Sequence, residues 1–212
     1  MKFVGIVDIN TGSLNSIKAC MNNLKIENDC FTDPKDIFKY KRVILPGVGN
    51  FGFASNILSE YNWKSYIQEF LSDPKRKLMG ICLGFQVLFD YSEESPKSRG
   101  LGLMHGKFEK LKSSSTERVP HVGWNNVISE KSSSYLNFIN EPLDVYFVHS
   151  YALFINKNSK LNQLDEYTFT QHGKNKFLSS FRKNNLYGCQ FHPEKSSKVG
   201  SQFLLPFLNL NA

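Results

Sequence analysis

Cys82 lies in Lys77-Leu78-Met79-Gly80-Ile81-Cys82-Leu83-Gly84-Phe85-Gln86, with one glycine two residues before it and another two after. A thiol framed this way, between an apolar run and a helical pattern, can stand on a sharp strand-to-helix turn, the geometry of a nucleophile elbow. The glycines admit a turn too tight for a Cβ, and a helix N-terminus favours thiolate. A buried core cysteine is the alternative reading of this stretch alone. A thiol near neutral pH is mostly protonated, so a nucleophile needs a base, and the base an orienting group. His192, in Gln190-Phe191-His192-Pro193-Glu194, has both features: an apolar strand delivers it, Pro193 stops the strand, and Glu194 follows two residues on. His149, in Phe147-Val148-His149-Ser150-Tyr151, is the competing base, but with no carboxylate close in sequence it reads as a pocket or structural residue. His121 reads equally as a packed loop histidine, and His105 and His172 as exposed. The Cys and His residues show no ligand-pair spacing, so no metal is expected.

A second candidate is Pro46-Gly47-Val48-Gly49-Asn50-Phe51-Gly52. No Gly-Lys-Ser/Thr follows, so this is not a phosphate-binding P-loop. Its glycines permit a backbone N–H turned toward a ligand, or a peptide able to flip. A structural turn and a ligand loop remain equally open readings.

These segments need a scaffold. Lys2–Val7, Glu27–Thr32, Arg42–Leu45 and Leu78–Ile81 read as strands. Leu14, Ile17, Met21 and Leu24 mark one face of a helix capped near Ser13; Asp33-Pro34 opens a short turn through Phe38. Ala54–Leu58 and Trp63–Leu71 read as helix, and Phe85–Tyr91 as the opening of another. Short joints between alternating strands and helices predict a parallel sheet covered on both faces, with ligands beyond the carboxyl ends of its strands. Pro46–Phe51 and Cys82 both fall there. After Tyr91 come a polar loop over Ser92–Gly102, serine-rich connectors at Ser113–Thr116 and Ser132–Ser134, and six β-type pieces: Lys107–Leu111, Asn125–Ile128, Val145–Val148, Thr168–Gln171, Leu178–Arg182 and Tyr187–Phe191. Ser197–Leu208 closes as a helix. The expected fold is one α/β domain over 1–212, a mostly parallel sheet with an antiparallel extension.

Composition narrows the class. The 212 residues are 41% hydrophobic and 14% aromatic, as in a folded globular chain. No apolar run reaches a membrane span, and the first residues enter a strand without a cleavable signal pattern. Four cysteines (Cys20, Cys30, Cys82, Cys189) without regular spacing suit free thiols in a cytoplasmic setting. The net charge of +7 lies mostly in apparent loops and strand ends, which reads as a solvated surface rather than a nucleic-acid face.

Gly80-Ile81-Cys82-Leu83-Gly84-Phe85-Gln86 together with Phe191-His192-Pro193-Glu194 resembles the signature of class I, triad-type glutamine amidotransferases, of flavodoxin-like fold. Pro46–Phe51, Pro120-His121-Val122-Gly123-Trp124-Asn125, Tyr146–Tyr151 and His192–Ser196 narrow the resemblance to glutaminase subunits of imidazole glycerol phosphate synthase. The resemblance implies hydrolysis of L-glutamine to glutamate and ammonia without a cofactor. The ammonia would pass to a synthase subunit, a (β/α)8-barrel partner in a heterodimer, which makes imidazole glycerol phosphate and AICAR in histidine biosynthesis. It implies Cys82 as nucleophile, His192 as base and Glu194 as its orienter. Oxyanion donors would be the N–H of Leu83 and one from the Gly47–Asn50 loop, with Gly47 and Gly49 in it, and Gln86, His149, Ser150 and Tyr151 would contact substrate. Two departures stand out: Asp8-Ile9-Asn10-Thr11-Gly12-Ser13-Leu14 replaces the usual Asp-Tyr-Gly-x-Gly-Asn-Leu, and Phe85 replaces a methionine. A glutaminase feeding a sugar-amidating enzyme of surface-polysaccharide synthesis, or a non-catalytic regulatory homologue, are the alternatives.

Overall fold

Strands β1 (Lys2–Val7), β2 (Asn28–Phe31), β3 (Tyr40–Leu45) and β4 (Lys77–Ile81) alternate with α1 (Leu14–Asn23), α2 (Phe51–Glu60) and α3 (Trp63–Ser72) in the computed structural model. Residues 2–12, 14–114, 118–129, 143–155 and 161–209 are described. The expected cap at Ser13, part of the first serine-rich connector and all of Ser132–Ser134 lie outside them. A five-residue helix α4 (Leu83–Val87) follows β4. Then come β5 (Tyr91–Ser92), β6 (Lys107–Lys110), β7 (His121–Ser129), β8 (Leu143–His149), β9 (Tyr151–Ala152), β10 (Glu166–His172), β11 (Asn175–Lys183), β12 (Leu186–Cys189) and α5 (Ser197–Leu208).

The main sheet runs β2-β1-β3-β4-β12-β11-β10-β7-β8. Its first five strands are parallel, and the last four are joined by antiparallel pairing. The antiparallel half is thus an extension of the same sheet. A three-stranded sheet, β5-β6-β9, lies apart from it. The parallel strands are apolar on both faces because helices cover both. On one side Val4, Ile6, Ile44, Met79 and Ile81 pack with α1 and with Phe203 and Phe207 of α5. On the other, Val7, Val43, Leu45 and Leu78 pack with Phe51, Trp63, Phe70 and Phe85. β12 enters beside β4 with Gly188 opposite Gly80 and Cys189 opposite Ile81. That register places the residues after Cys189 against the residue after Ile81.

The helix expected over Phe85–Tyr91 is shorter and starts earlier. Loop N–H groups take the carbonyls that would continue it: Leu101 bonds Val87, Leu103 bonds Leu88, Gly102 bonds Phe89 and Gly100 bonds Asp90. Tyr91 then enters β5. The segment read as a polar loop therefore returns to staple the helix end, and its Leu101 is buried.

Candidate active site

Cys82 has φ 53° and ψ −108°, a left-handed conformation rare for a residue with a side chain. Its neighbours explain how the turn is held. A Cβ on Gly80 would come 2.6 Å from the Gly84 carbonyl oxygen, and one on Gly84 would collide with the Leu45 carbonyl. Only glycine lets helix, strand and β3 approach this closely. The Cys82 N–H donates to the Cys189 carbonyl at 2.8 Å, so β12 pins the elbow.

Three residues past Cys189 stands His192. Its backbone N–H donates to Tyr146 of β8 at 2.9 Å, and its Nδ1 lies 2.8 Å from Glu194 Oε1, with both side chains 1% exposed. A 3₁₀ turn over Pro193–Lys195 folds the carboxylate back under the ring. The ring's other nitrogen, Nε2, is buried without a hydrogen-bond partner among the described residues. Burial alone would depress the imidazole pKa; the neighbouring Cys82 sulfur and the hydrogen-bonded Glu194 carboxylate outweigh it and raise the value to about 10. Nδ1–H is therefore committed to Glu194, and Nε2 is the atom free to exchange a proton with sulfur.

A cavity of about 480 Å³ opens over the thiol, and among the described cysteines only Cys82 lines it. Of the residues expected from sequence, Gly49, Leu83, Gln86, His149, Ser150 and Tyr151 line it too. Gly47 does not; its carbonyl accepts the Leu83 N–H at 3.2 Å, while the Val48 N–H donates to Thr11 O at 3.0 Å. The Leu83 N–H expected to face a ligand is thus already bonded within the chain. Gln86 donates from Nε2 to Tyr151 O at 3.3 Å and to Gln190 Oε1 at 3.0 Å, which leaves only Oε1 for a ligand.

His149 does not stand as a free base. Its Nδ1 donates to Tyr151 O at 2.9 Å, so Nε2 accepts from His121 Nδ1 at 3.0 Å. His121 Nε2 in turn accepts from Asn125 at 3.2 Å. Burial depresses both imidazoles, His121 to about 3 and His149 to about 4. His121 is a strand residue of β7, and His172, expected to be exposed, is half-buried and stacks on it with centroids 4.1 Å apart.

A family model of class-I glutamine amidotransferases matches residues 6–209. The chain is 38% identical over 208 residues to imidazole glycerol phosphate synthase subunit HisH of Lactococcus lactis, covering 98% of each. This chain belongs to the class-I glutamine amidotransferase family. It is also 38% identical over 210 residues to HisH of Pyrococcus furiosus, covering 99% and 100%. At the level of fold, a crystal structure of a glutamine amidotransferase matches with a TM-score of 0.71 at 16% identity, covering 98% and 99%.

Within the amidotransferase fold the two sequence departures have local causes. Asn10, where the motif carries glycine, has φ 58°, and asparagine is the side chain that best tolerates this region. Phe85 sits among Phe89, Phe108 and Phe181 at centroid distances of 5.4, 5.4 and 5.8 Å, so the larger ring fills an aromatic core. Sequence reasoning missed three polar residues here. Glu94 and Lys195 bring opposite charges to the cavity lining, and the buried Gln190 lies between Gln86 and Cys82. Glu94 sits in a loop whose position is set by its bond to the Phe51 N–H at 2.6 Å, a contact 43 residues away in sequence. Among the described residues no cluster of metal-ligating side chains occurs, and no helix is long and apolar enough to cross a membrane.

Proposed function

We propose that this chain is the glutaminase subunit of an imidazole glycerol phosphate synthase in histidine biosynthesis, hydrolysing L-glutamine at a Cys82–His192–Glu194 triad. The observation that carries the triad is the 2.8 Å His192–Glu194 bond, 1% exposed, beside a cysteine held on a left-handed elbow. Cys82 thiolate attacks the carboxamide carbon. The His192 imidazolium gives its Nε2 proton to the leaving nitrogen, and ammonia departs from the thioester. Water then attacks, losing a proton to His192, and glutamate leaves as the thiolate re-forms. Glu194 keeps Nδ1–H engaged so that Nε2 meets sulfur.

The cavity suits glutamine's other end. Gln86 Oε1 offers an acceptor, Glu94 a carboxylate for the α-ammonium, and Lys195 a cation for the α-carboxylate, and Ser150 and Tyr151 line the same cavity. Ammonia is passed to a separate synthase subunit, a (β/α)8 barrel. Exposed apolar Val48, Val122 and Trp124 give that partner a face beside the cavity, since Val122 pairs with the cavity-lining Val148.

Cys82→Ala tests this reading. Combined with a synthase subunit, the variant should lose glutamine-dependent product by several orders of magnitude while ammonia-dependent product formation persists. Glutamate release at the wild-type rate by Cys82→Ala would overturn the assignment.

A further inference from the structure

Gln190 follows the last residue of β12 and is 0% exposed. Its backbone N–H is tied to Ser179 O at 2.8 Å. The direction of its side-chain amide follows from a chain of obligatory acceptors. The Tyr151 carbonyl can only accept, and it receives Gln86 Nε2 at 3.3 Å as well as His149 Nδ1. The amino end of Gln86 therefore points at Tyr151, and its second N–H, toward Gln190 at 3.0 Å, must meet oxygen. That leaves Nε2 of Gln190 facing Cys82 Sγ, at 3.8 Å.

We propose that Gln190 is a catalytic residue that donates an N–H to the Cys82 sulfur and favours its thiolate. This rests on the reading of Cys82 as the nucleophile. The sulfur has two contrasting neighbours. The Val148 carbonyl, also at 3.8 Å, accepts from the neutral S–H and offers a thiolate nothing. The Gln190 N–H does the reverse: a donor aimed at the charged form stabilises that form. In the thiolate–imidazolium pair the proton sits on His192 Nε2, and the buried Gln190 N–H supplies the anion with a hydrogen bond from the side away from the cavity lining. Gln190 does not line the cavity. Its influence on the reaction therefore runs through sulfur, and its influence on glutamine binding only through Gln86.

The two routes separate experimentally. The rate of iodoacetamide alkylation at Cys82, read on its peptide by mass spectrometry, is followed against pH in the full chain without glutamine. Gln190→Met should move this profile to the alkaline side by about one pH unit and lower kcat about tenfold. Gln86→Met keeps the Gln190 amide but removes the donor that orients it, so it should move the profile by less than Gln190→Met and raise KM for glutamine. Coincidence of the Gln190→Met and wild-type profiles overturns the proposal, as does an equal shift in Gln86→Met. If the methionine variant does not fold, Gln190→Glu keeps the shape and sets an acceptor against sulfur. Its profile must move the same way, and no movement overturns the proposal equally. Alkylation needs no glutamine turnover, so failure here is distinct from failure of the glutaminase reading, which Cys82→Ala decides.

Discussion

At His192 burial and charge pull in opposite directions. Burial disfavours an imidazolium, but a carboxylate 2.8 Å from Nδ1 and a sulfur beside the ring hold the pKa at about 10, against an ordinary value of 6.5. The imidazolium is thus the resting form at neutral pH, the form that the proposed chemistry requires to protonate departing ammonia. Its folded pKa lies above the unfolded one, so the stability it contributes is complete below pH 6.5 and is lost as pH rises toward 10. Activity follows the same sense on its alkaline side. Glu194→Gln keeps the hydrogen bond and removes the charge, so the alkaline limb of kcat against pH should move down by about one unit or more. An unmoved limb would mean that Cys82 alone sets the protonation of His192.

At the scale of elements, β7 and β8 carry a directed hydrogen-bond chain, Asn125 to His121 to His149 to Tyr151 O, that works only while both rings are neutral. Among the described residues their neighbours offer no anion: His121 faces Phe147, Phe177 and His172, and His149 faces Phe177 and the charge on His192. Both pKa values fall below the ordinary 6.5, so the unfolded chain binds more protons. Stability should drop as pH falls from 6.5 toward 4. Urea unfolding across this range should show His121→Phe taking up about one proton fewer on unfolding than wild type; an unchanged pH slope would contradict the neutral pair. None of this chain was legible in sequence, because β7 and β8 meet across a long connection and no local pattern encodes the His121–His149 pairing. The strands β1, β3 and β4 and the helices α3 and α5 were legible, since their apolar runs and their Pro and Gly stops are local signals. The Cys82 elbow and the His192–Glu194 pair were legible for the same reason, each being written within a few residues. Gln190 lies inside one of those motifs yet escaped notice. Its role appears only when Tyr151 and Gln86, from two other parts of the chain, fix the direction of its amide.

For the whole molecule, the decisive detail is one peptide. The Gly47 carbonyl points at the Leu83 N–H, and the Val48 N–H points away to Thr11 O. Neither the Val48 N–H nor the Leu83 N–H is therefore offered to an oxyanion above Cys82. Turning the Gly47–Val48 peptide over would free the Leu83 N–H and swing the Val48 N–H toward the site. It would break two hydrogen bonds, at 3.2 and 3.0 Å, so it needs compensation from elsewhere. A Cβ on Gly47 would already sit 3.1 Å from Leu83 Cβ and 3.2 Å from Thr11 Oγ1, so glycine gives the peptide the room it has. Val48 is 36% exposed and lines the cavity, where a docked synthase subunit would grip it. Docking of that partner is then expected to turn the peptide and complete the oxyanion site. One oxyanion donor changes kcat by roughly a hundred- to a thousandfold, so the isolated chain should release glutamate slower than the complex by at least that factor at saturating glutamine. KM should change far less, because these donors serve the tetrahedral intermediate rather than the ground state. The measurement is glutamate release with and without the synthase subunit. Full turnover by the chain alone would sink the gating of this peptide while leaving the chemistry at Cys82, His192 and Glu194 untouched.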